Sequence, residues 1–291
     1  LETLREQGVC IGWDEFKGRV PVRRAGREWL FSERDFDNPF AREHFRASSS
    51  GTSGRPVRTR MDLEDMDEAT ADWAVWFDAH GWIGRPLIFW ETEGTGLASR
   101  YLKCARFGMP FRKWFISTRE RKFEHRLRAS VVHAIARWAA RLPQPELASV
   151  AEAHRVAAFV RSLLDSGEKP LVNTSPSAAA RLSSLVLEQG CRLDGVTFFL
   201  SGEPVTLARK RSIEASGACA VPTYGTSEAG WIGAQFPDAE SPDEVHVFRD
   251  AYAVIARDGS SSDPSPLLFT SLRRAGPKVL LNTEQIGRAH V

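Results

Sequence analysis

Residues 171–230 read LVNTSPSAAARLSSLVLEQGCRLDGVTFFLSGEPVTLARKRSIEASGACAVPTYGTSEAG, and this stretch determines the predicted fold. Three short apolar runs predict buried strands, at residues 171–172, 196–200 and 219–221. The segments between them, residues 177–188 and 206–216, have the composition and spacing of helices. Strands that alternate with helices over short connections are typical of a mainly parallel α/β sheet.

With the sequence on either side, this pattern predicts an α/β fold. Its large body consists of mainly parallel sheet layers flanked by helices, and a small antiparallel β subdomain follows near the C-terminus. Asp62 is a good N-cap for a helix that ends at Gly81, and residues 86–90 form an apolar strand. Three more helices are predicted, at residues 97–107, 119–141 and 150–164. After Gly230 the pattern changes to short strands of a small antiparallel sheet or barrel, at residues 245–248, 252–255, 267–270 and 279–281.

These changes of pattern predict three regions along the chain. Residues 1–47 form an irregular segment with one or two short helices. Residues 48–230 form the α/β body, and residues 231–291 form the small β subdomain. Four tryptophans are expected to fill the core, or in one or two cases to line an acyl pocket near residues 94–96: Trp73, Trp76, Trp82 and Trp90.

The composition of the 291 residues excludes several classes of protein. Hydrophobic residues make up 42% and charged residues 26%, as in globular proteins rather than disordered chains. No apolar run approaches the roughly 20 residues of a membrane helix, and no secretory signal is visible. The net charge of +2 does not call for nucleic acid or an anionic membrane as partner. Four scattered cysteines argue against a zinc site, and we expect a cytoplasmic protein.

The first candidate functional segment is rich in serine and glycine. It comprises Ser49, Ser50, Gly51, Thr52, Ser53, Gly54 and Arg55. Such a stretch can be a plain flexible loop. It can also cradle phosphate, because glycines let backbone N–H groups approach an anion, hydroxyls add donors and the arginine adds positive charge. The P-loop of common NTPases does not fit, since Gly54 is followed by Arg-Pro and not by Lys-Ser or Lys-Thr.

The second candidate segment directly follows the predicted strand 196–200. It comprises Ser201, Gly202, Glu203 and Pro204. Open α/β sheets bind ligands at the carboxyl ends of their strands, which favours a ligand-binding loop. The alternative is a helix start, since proline and glutamate both suit a first helical turn.

The third candidate segment, Tyr224, Gly225, Thr226, Ser227 and Glu228, follows the next predicted strand and would lie at the same sheet edge. Tyr224 could stack on a planar base, and the two hydroxyls could donate to phosphate. Glu228 could hold Mg²⁺, which prefers carboxylate oxygen. The alternative is an ordinary polar loop.

Together and in this order, the three segments resemble the motifs of the adenylate-forming superfamily, which includes acyl-CoA synthetases, adenylation domains and firefly luciferase. That family has SSGTTGxP, a GGE-type adenine loop and YGxTE, where this chain has SSGTSGRP, SGEP and YGTSE. The phenylacetate-CoA ligase branch is the most similar, on the strength of residues 94–110, 172–180, 244–248 and 277–287. The resemblance covers residues 45–291 and implies the amino-terminal body of such an enzyme.

The resemblance also implies a role for each segment. Ser49 to Gly54 would hold the β- and γ-phosphates of ATP, and Ser201, Gly202, Glu203 and Pro204 would line the adenine. Tyr224 would stack on the base, Thr226 or Ser227 would contact the α-phosphate, and Glu228 would bind Mg²⁺. Such an enzyme converts a small carboxylic acid to an acyl adenylate and pyrophosphate. A thiol, from coenzyme A or an acyl-carrier protein, then displaces AMP.

Three features depart from the family pattern. The ribose-binding aspartate of the family falls on Gln285, and a shift of one residue would let Glu284 serve instead. Arg55 stands where the family has lysine. Residue 291 lies near where the mobile carboxy-terminal lid would begin, so we expect that the sequence is a fragment, or that the lid is absent or separate.

Two other functions remain open from the sequence. A non-catalytic homologue that binds nucleotide or a partner is compatible with Gln285, and an acyl-protein synthetase would pass the acyl group to a protein cysteine. The basic stretch 112–128 is either a solvated helix face or a docking patch for coenzyme A phosphates or an acidic carrier protein.

Overall fold

The computed structural model describes residues 1–48, 58–92, 104–106, 108–117, 143–257 and 265–289. The chain divides into two compact units, each of which is described by itself. Unit 1 comprises Leu1–Met66, Thr226–Ile232 and Val247–Val291, and unit 2 comprises Asp67–Gly225 and Gly233–His246. The predicted boundaries at residues 47 and 230 stay predictions.

The strands and helices are numbered here in chain order. The strands are β1 Val22–Arg24, β2 Arg27–Trp29, β3 Phe45–Ser48, β4 Arg58–Met61, β5 Leu87–Glu91, β6 Phe111–Ile116, β7 Pro145–Leu147, β8 Leu171–Thr174, β9 Thr197–Leu200, β10 Cys219–Thr226, β11 Gly230–Ala234, β12 His246–Val247, β13 Tyr252–Ala256, β14 Ser265–Ser271 and β15 Thr283–Ala289. The helices are α1 Glu2–Glu6, α2 Trp13–Phe16, α3 Leu63–Ala79, α4 Ala153–Asp165, α5 Pro176–Glu188 and α6 Leu207–Glu214, and a 3₁₀ turn spans Val150–Glu152.

An eight-stranded sheet has the order β12-β11-β10-β9-β8-β5-β6-β7. Each neighbouring pair from β10 to β7 is parallel. Leu200 of β9 lies opposite both Thr174 of β8 and Pro222 of β10, so β8 and β9 end at one level of the sheet and β10 continues past it to Thr226. The predicted mainly parallel α/β body is therefore confirmed.

The core of unit 2 forms where helices cover this sheet. Val172 and Phe198 of the strands and Leu182 and Val186 of α5 are completely buried in one hydrophobic cluster. The start of α5 follows from its sequence, because Pro176 occupies the first turn and the Ser175 hydroxyl accepts a hydrogen bond from Ala178 N at 3.3 Å. The four tryptophans predicted for the core are buried there.

Unit 1 contains smaller sheets. The strands β13, β14 and β15 form an antiparallel sheet in that order, which confirms the predicted antiparallel sheet near the C-terminus. The first 47 residues contain the two short helices expected, and also the hairpin β1–β2, which the sequence did not predict. The strands β3 and β4 pair antiparallel, with Ser48 opposite Arg58, and the Ser/Gly segment connects them.

Two predicted strands of this tail were placed wrongly. Residues 245–248 contribute only His246–Val247, and this strand joins the eight-stranded sheet. Residues 279–281 form no strand, because their backbone groups bond elsewhere. Leu280 O accepts from Ser271 N, Leu280 N donates to the Ser271 hydroxyl, and Leu281 N donates to the Thr283 hydroxyl. The strand begins at Thr283, after the buried Asn282 has taken a left-handed conformation with φ +44°.

Within the described residues, no helix combines the length and apolar character needed to cross a membrane. The predicted helix 119–141 and most of the predicted helix 97–107 lie outside the described residues.

Asp62 caps α3 as predicted. Its Oδ1 accepts from Glu64 N at 2.9 Å and its Oδ2 from Arg42 N at 2.5 Å. Burial alone would raise the pKa of Asp62, but these two N–H donors and the nearby His44 and Arg42 lower it on balance. The stabilisation is therefore present above the unfolded-state pKa of 3.8 and is lost as the pH falls through the folded-state pKa.

We expect Asp62→Ala to lower the free energy of unfolding by about 1–2 kcal/mol at pH 7, since it leaves two N–H groups without an acceptor. Urea unfolding followed by circular dichroism measures the loss, which should shrink below pH 4. Glu64→Ala, at an exposed position of the same turn, is the control and should stay within about 0.5 kcal/mol. An Asp62→Ala protein as stable as this control would contradict the cap.

Candidate functional site

The SGEP segment, Ser201 to Pro204, lies where β9 ends. Ser201 N donates to Thr174 O at 3.1 Å, which ties the segment to the end of the neighbouring strand β8. Gly202 has φ +82° and open space around it, a conformation that favours glycine. Gly202, Glu203 and Pro204 are exposed. The segment is therefore an exposed loop at the carboxyl edge of the sheet.

This loop is not the start of a helix, so the alternative interpretation of Pro204 is wrong. The helix α6 begins at Leu207, and its N-cap is Thr206, whose hydroxyl accepts from Arg209 N at 3.3 Å. The Glu203 carboxylate instead accepts from the Ser177 hydroxyl at 2.5 Å and lies 3.3 Å from Arg209 Nη1. These contacts fix the loop against α5 and α6.

Tyr224 and Gly225 lie at the end of the adjacent strand, so they are part of β10 and not of a loop after it. The predicted strand 219–221 continues to Thr226, because Val221, Thr223 and Tyr224 are all good strand formers. The Thr223 hydroxyl donates to Leu200 O at 2.8 Å, which joins the ends of β9 and β10. Tyr224 is half-buried and Gly225 is exposed. The structure thus brings the SGEP segment and Tyr224 to one edge of the sheet in unit 2.

Thr226, Ser227 and Glu228 belong to unit 1, where they enter a tight turn. Thr226 Oγ1 accepts from Ala229 N at 3.1 Å, and the Tyr252 hydroxyl donates to Ala229 O. Gly230 closes the turn with φ +86°. The turn leaves Thr226 and Ser227 half-buried and buries Glu228, which is 5% exposed.

The buried Glu228 carboxylate is paired with Lys17, a residue that the sequence analysis missed. Lys17 Nζ lies 2.5 Å from Glu228 Oε1 and 3.7 Å from Glu33 Oε2. A buried carboxylate needs such a charged partner. The sequence offered no signal for this pair, because Lys17 and Glu228 are 211 positions apart and Lys17 is in no recognisable motif.

Glu284, the alternative to Gln285 at the ribose position, is already engaged in unit 1. Its backbone N donates to Ile11 O at 2.8 Å, and its Oε2 accepts from Arg257 Nη1 at 2.5 Å and from Trp13 N at 3.4 Å. Gln285 lies on β15. The ribose roles of these two residues stay predictions.

The predicted phosphate segment lies outside the described residues, and its role stays a prediction. It comprises Ser49, Ser50, Gly51, Thr52, Ser53, Gly54 and Arg55.

The carboxylates around Lys17 suit a hard divalent cation. Glu228 and Glu33 both approach one position that already holds positive charge, the Lys17 ammonium. Mg²⁺ is usually bound through one or two carboxylates together with substrate phosphates and water. In the part of the chain that the structure describes, no group of three or more His, Cys, Asp or Glu side chains could hold a metal. The two carboxylates are of the ligand type that Mg²⁺ takes beside substrate phosphate and water.

Comparison with known proteins supports the fold. No protein-family profile matches the sequence, and no curated protein matches it. Among solved structures, 2-hydroxyisobutyryl-CoA ligase in the postadenylation state with 2-HIB-AMP is similar, with TM-score 0.59 and 15% identity over 94% of this chain and 54% of that chain. The open form of that ligase with 2-HIB-AMP and CoA gives TM-score 0.56 and 14% identity, over 82% and 50%.

A third similar structure is VinN with L-aspartate, with TM-score 0.51 and 15% identity over 81% of this chain and 50% of that chain. The chain spans about half the length of these structures. At this level of identity the likeness shows the fold alone, which this chain shares with these solved structures.

Proposed function

We propose that this chain supplies the nucleotide-binding body of an enzyme that activates a carboxylic acid with ATP, as an acyl adenylate. The observation that carries the proposal is the juxtaposition of Ser201–Gly202–Glu203–Pro204 and Tyr224 at the ends of adjacent parallel strands. This edge is where open α/β sheets bind ligands. A ligase with the same fold has been solved with an acyl adenylate and CoA, which agrees with the proposal.

Unit 2 would hold the base of the nucleotide. The exposed SGEP loop would line the adenine, and its backbone can approach closely because Gly202 carries no side chain. Tyr224 would stack on the ring. Gly225 would allow the backbone to approach the nucleotide closely, because it carries no side chain.

Thr226, Ser227 and Glu228 would act on the phosphates. The two hydroxyls would donate to α-phosphate oxygens as the carboxylate of the acid attacks phosphorus. The Ser/Gly segment from Ser49 to Arg55 would hold the β- and γ-phosphates that leave as pyrophosphate. These donors favour the reaction because charge accumulates on phosphate oxygens in the transition state.

Glu228, with Glu33 beside it, would hold Mg²⁺ together with ATP. When bound, the metal supplies neutralisation of the phosphate charge. The hydrogen bonds of Thr226 and Tyr252 with the Ala229 backbone fix the turn that carries Glu228.

The finer assignment within the superfamily is a ligase similar to phenylacetate-CoA ligase. The acceptor would be the thiol of coenzyme A or of an acyl-carrier protein. The motif resemblance over residues 45–291 supports this assignment.

Calorimetric titration of the chain with Mg·ATP tests the proposal. We expect saturable binding, and we expect Tyr224→Ala to weaken it about ten- to a hundredfold, since aromatic–base stacking contributes about 1–3 kcal/mol. Tyr224→Phe keeps the ring and should bind normally. Trp29→Ala, at an exposed aromatic residue of β2, is the control for ring removal. Absence of saturable binding, or equal affinity of Tyr224→Ala and wild type, would refute the nucleotide site.

A further inference from the structure

The Lys17 ammonium forms a buried ion pair with the Glu228 carboxylate. We infer that Lys17 is an internal counter-ion that competes with a divalent metal for Glu228, so that Lys17 lowers the affinity for the metal. The inference rests on the proposed function, because it assigns the regulation of the same metal position.

Lys17 is held in place by more than one contact. It is the residue that follows the four-residue helix α2, and its Nζ lies 4.5 Å from the centroid of the Trp13 ring and 5.5 Å from that of Phe16. Aromatic faces attract cations through their quadrupole. The Lys17 side chain is 10% exposed, and that of Glu228 is 7% exposed. The ammonium is thus enclosed between two rings and two carboxylates.

The second carboxylate belongs to a segment that is anchored independently. Glu33 O accepts from Lys278 Nζ at 2.7 Å, and the same ammonium lies 2.5 Å from Asp37 Oδ1. The Lys278 side chain is completely buried. Because Lys278 fixes the backbone that carries Glu33, removal of Lys17 should leave this backbone in place.

Lys17 and a metal would compete for the charge of the same carboxylate. The ammonium lies 2.5 Å from Glu228 Oε1, so a divalent cation bound to Glu228 would repel it. Lys17, Glu228 and Glu33 together carry a charge of −1, and without Lys17 they would carry −2. The long flexible stem of lysine allows the ammonium to withdraw when metal enters.

The test is direct measurement of metal binding, with Mn²⁺ as the probe. Free Mn²⁺ is followed by electron paramagnetic resonance as the full chain is titrated, first without and then with ATP. We expect Lys17→Gln to bind Mn²⁺ at least about tenfold more tightly than wild type, because the competing charge is gone. Lys17→Arg keeps a cation and should resemble wild type. Glu228→Gln should bind Mn²⁺ at least about tenfold more weakly.

A second variant keeps the test valid if Lys17→Gln fails to fold. Trp13→Leu leaves every charge in place but removes one ring that holds the ammonium, and we expect Mn²⁺ binding about threefold tighter. Lys113→Gln is the matched control, since Lys113 lies 2.5 Å from Glu146 in unit 2, and it should leave Mn²⁺ affinity unchanged.

The outcomes separate the inference from the proposed function. Unchanged or weaker Mn²⁺ binding by Lys17→Gln, or unchanged binding by Trp13→Leu where Lys17→Gln does not fold, would overturn the role of Lys17. If Glu228→Gln nevertheless binds Mn²⁺ more weakly than wild type, the metal site of the proposed function is supported. If Glu228→Gln binds Mn²⁺ as wild type does, the metal position of the proposed function is refuted, and the inference with it.

Discussion

Glu228→Gln is expected to reduce acid-dependent ATP–pyrophosphate exchange by at least a factor of about 100, in a protein that contains this chain and catalyses the exchange. The substitution keeps the shape of the side chain and removes its charge. A neutral amide would hold a divalent cation less strongly than a carboxylate does. The phosphate charge that the metal would offset would then be uncompensated when the acid attacks. Exchange of radiolabelled pyrophosphate into ATP, at saturating Mg²⁺ and acid, measures the effect.

The matched control is Glu146→Gln. Glu146 lies 2.5 Å from Lys113, as Glu228 does from Lys17, but it belongs to the outer strand β7 of unit 2. The Glu146→Gln protein should exchange at the wild-type rate. Thermal unfolding of both variants would separate a catalytic loss from a folding defect. Wild-type exchange by a folded Glu228→Gln protein would show that Glu228 has no role at the phosphates.

The parallel sheet could be predicted because its signals are local. The strands β8, β9 and β10 each contain a short apolar run, and the helices between them have their own start signals, such as Ser175 followed by Pro176. The position of the SGEP loop at the sheet edge follows from the same alternation. The sequence could not show that the apolar residues 279–281 lie outside a strand and that the strand begins only at Thr283. That outcome depends on Asn282, whose side chain donates to the backbone of Leu1 and Val9 at the other end of the chain.

The pairing of Lys17 with Glu228 illustrates the same limit at the candidate site. The motif around Glu228 indicates a carboxylate for metal, but its counter-ion comes from a short amino-terminal helix with no sequence signature. Such pairs are determined by tertiary packing, which single-sequence patterns do not encode. The metal role of Glu228 stays a prediction, whereas its ion pair with Lys17 became visible only in the structure.

Trp76→Ala is expected to lower the free energy of unfolding of unit 2 by about 3–5 kcal/mol. Trp76 is completely buried in α3 and packs edge-to-face against Phe77, Trp82 and Phe199, with ring centroids 5.1–5.7 Å apart. Removal of the indole leaves a cavity that these rings can fill only in part. Urea unfolding followed by far-ultraviolet circular dichroism measures the loss.

Two further variants separate the parts of this effect. Trp76 Nε1 donates to Gln235 O at 2.7 Å, and Trp76→Phe removes that bond while it keeps most of the ring. His80 Nε2 lies 2.9 Å from the same oxygen and donates to it, and burial lowers the pKa of His80, although the bond to Gln235 O raises it in part. Because that acceptor stays satisfied, Trp76→Phe should lower the free energy of unfolding by only about 1–2 kcal/mol.

Val75→Ala is the control, because Val75 is one residue away and 62% exposed, and its free energy of unfolding should stay within about 0.5 kcal/mol of wild type. Equal stabilities of Trp76→Ala and Val75→Ala would mean that this aromatic cluster does not hold α3 in place.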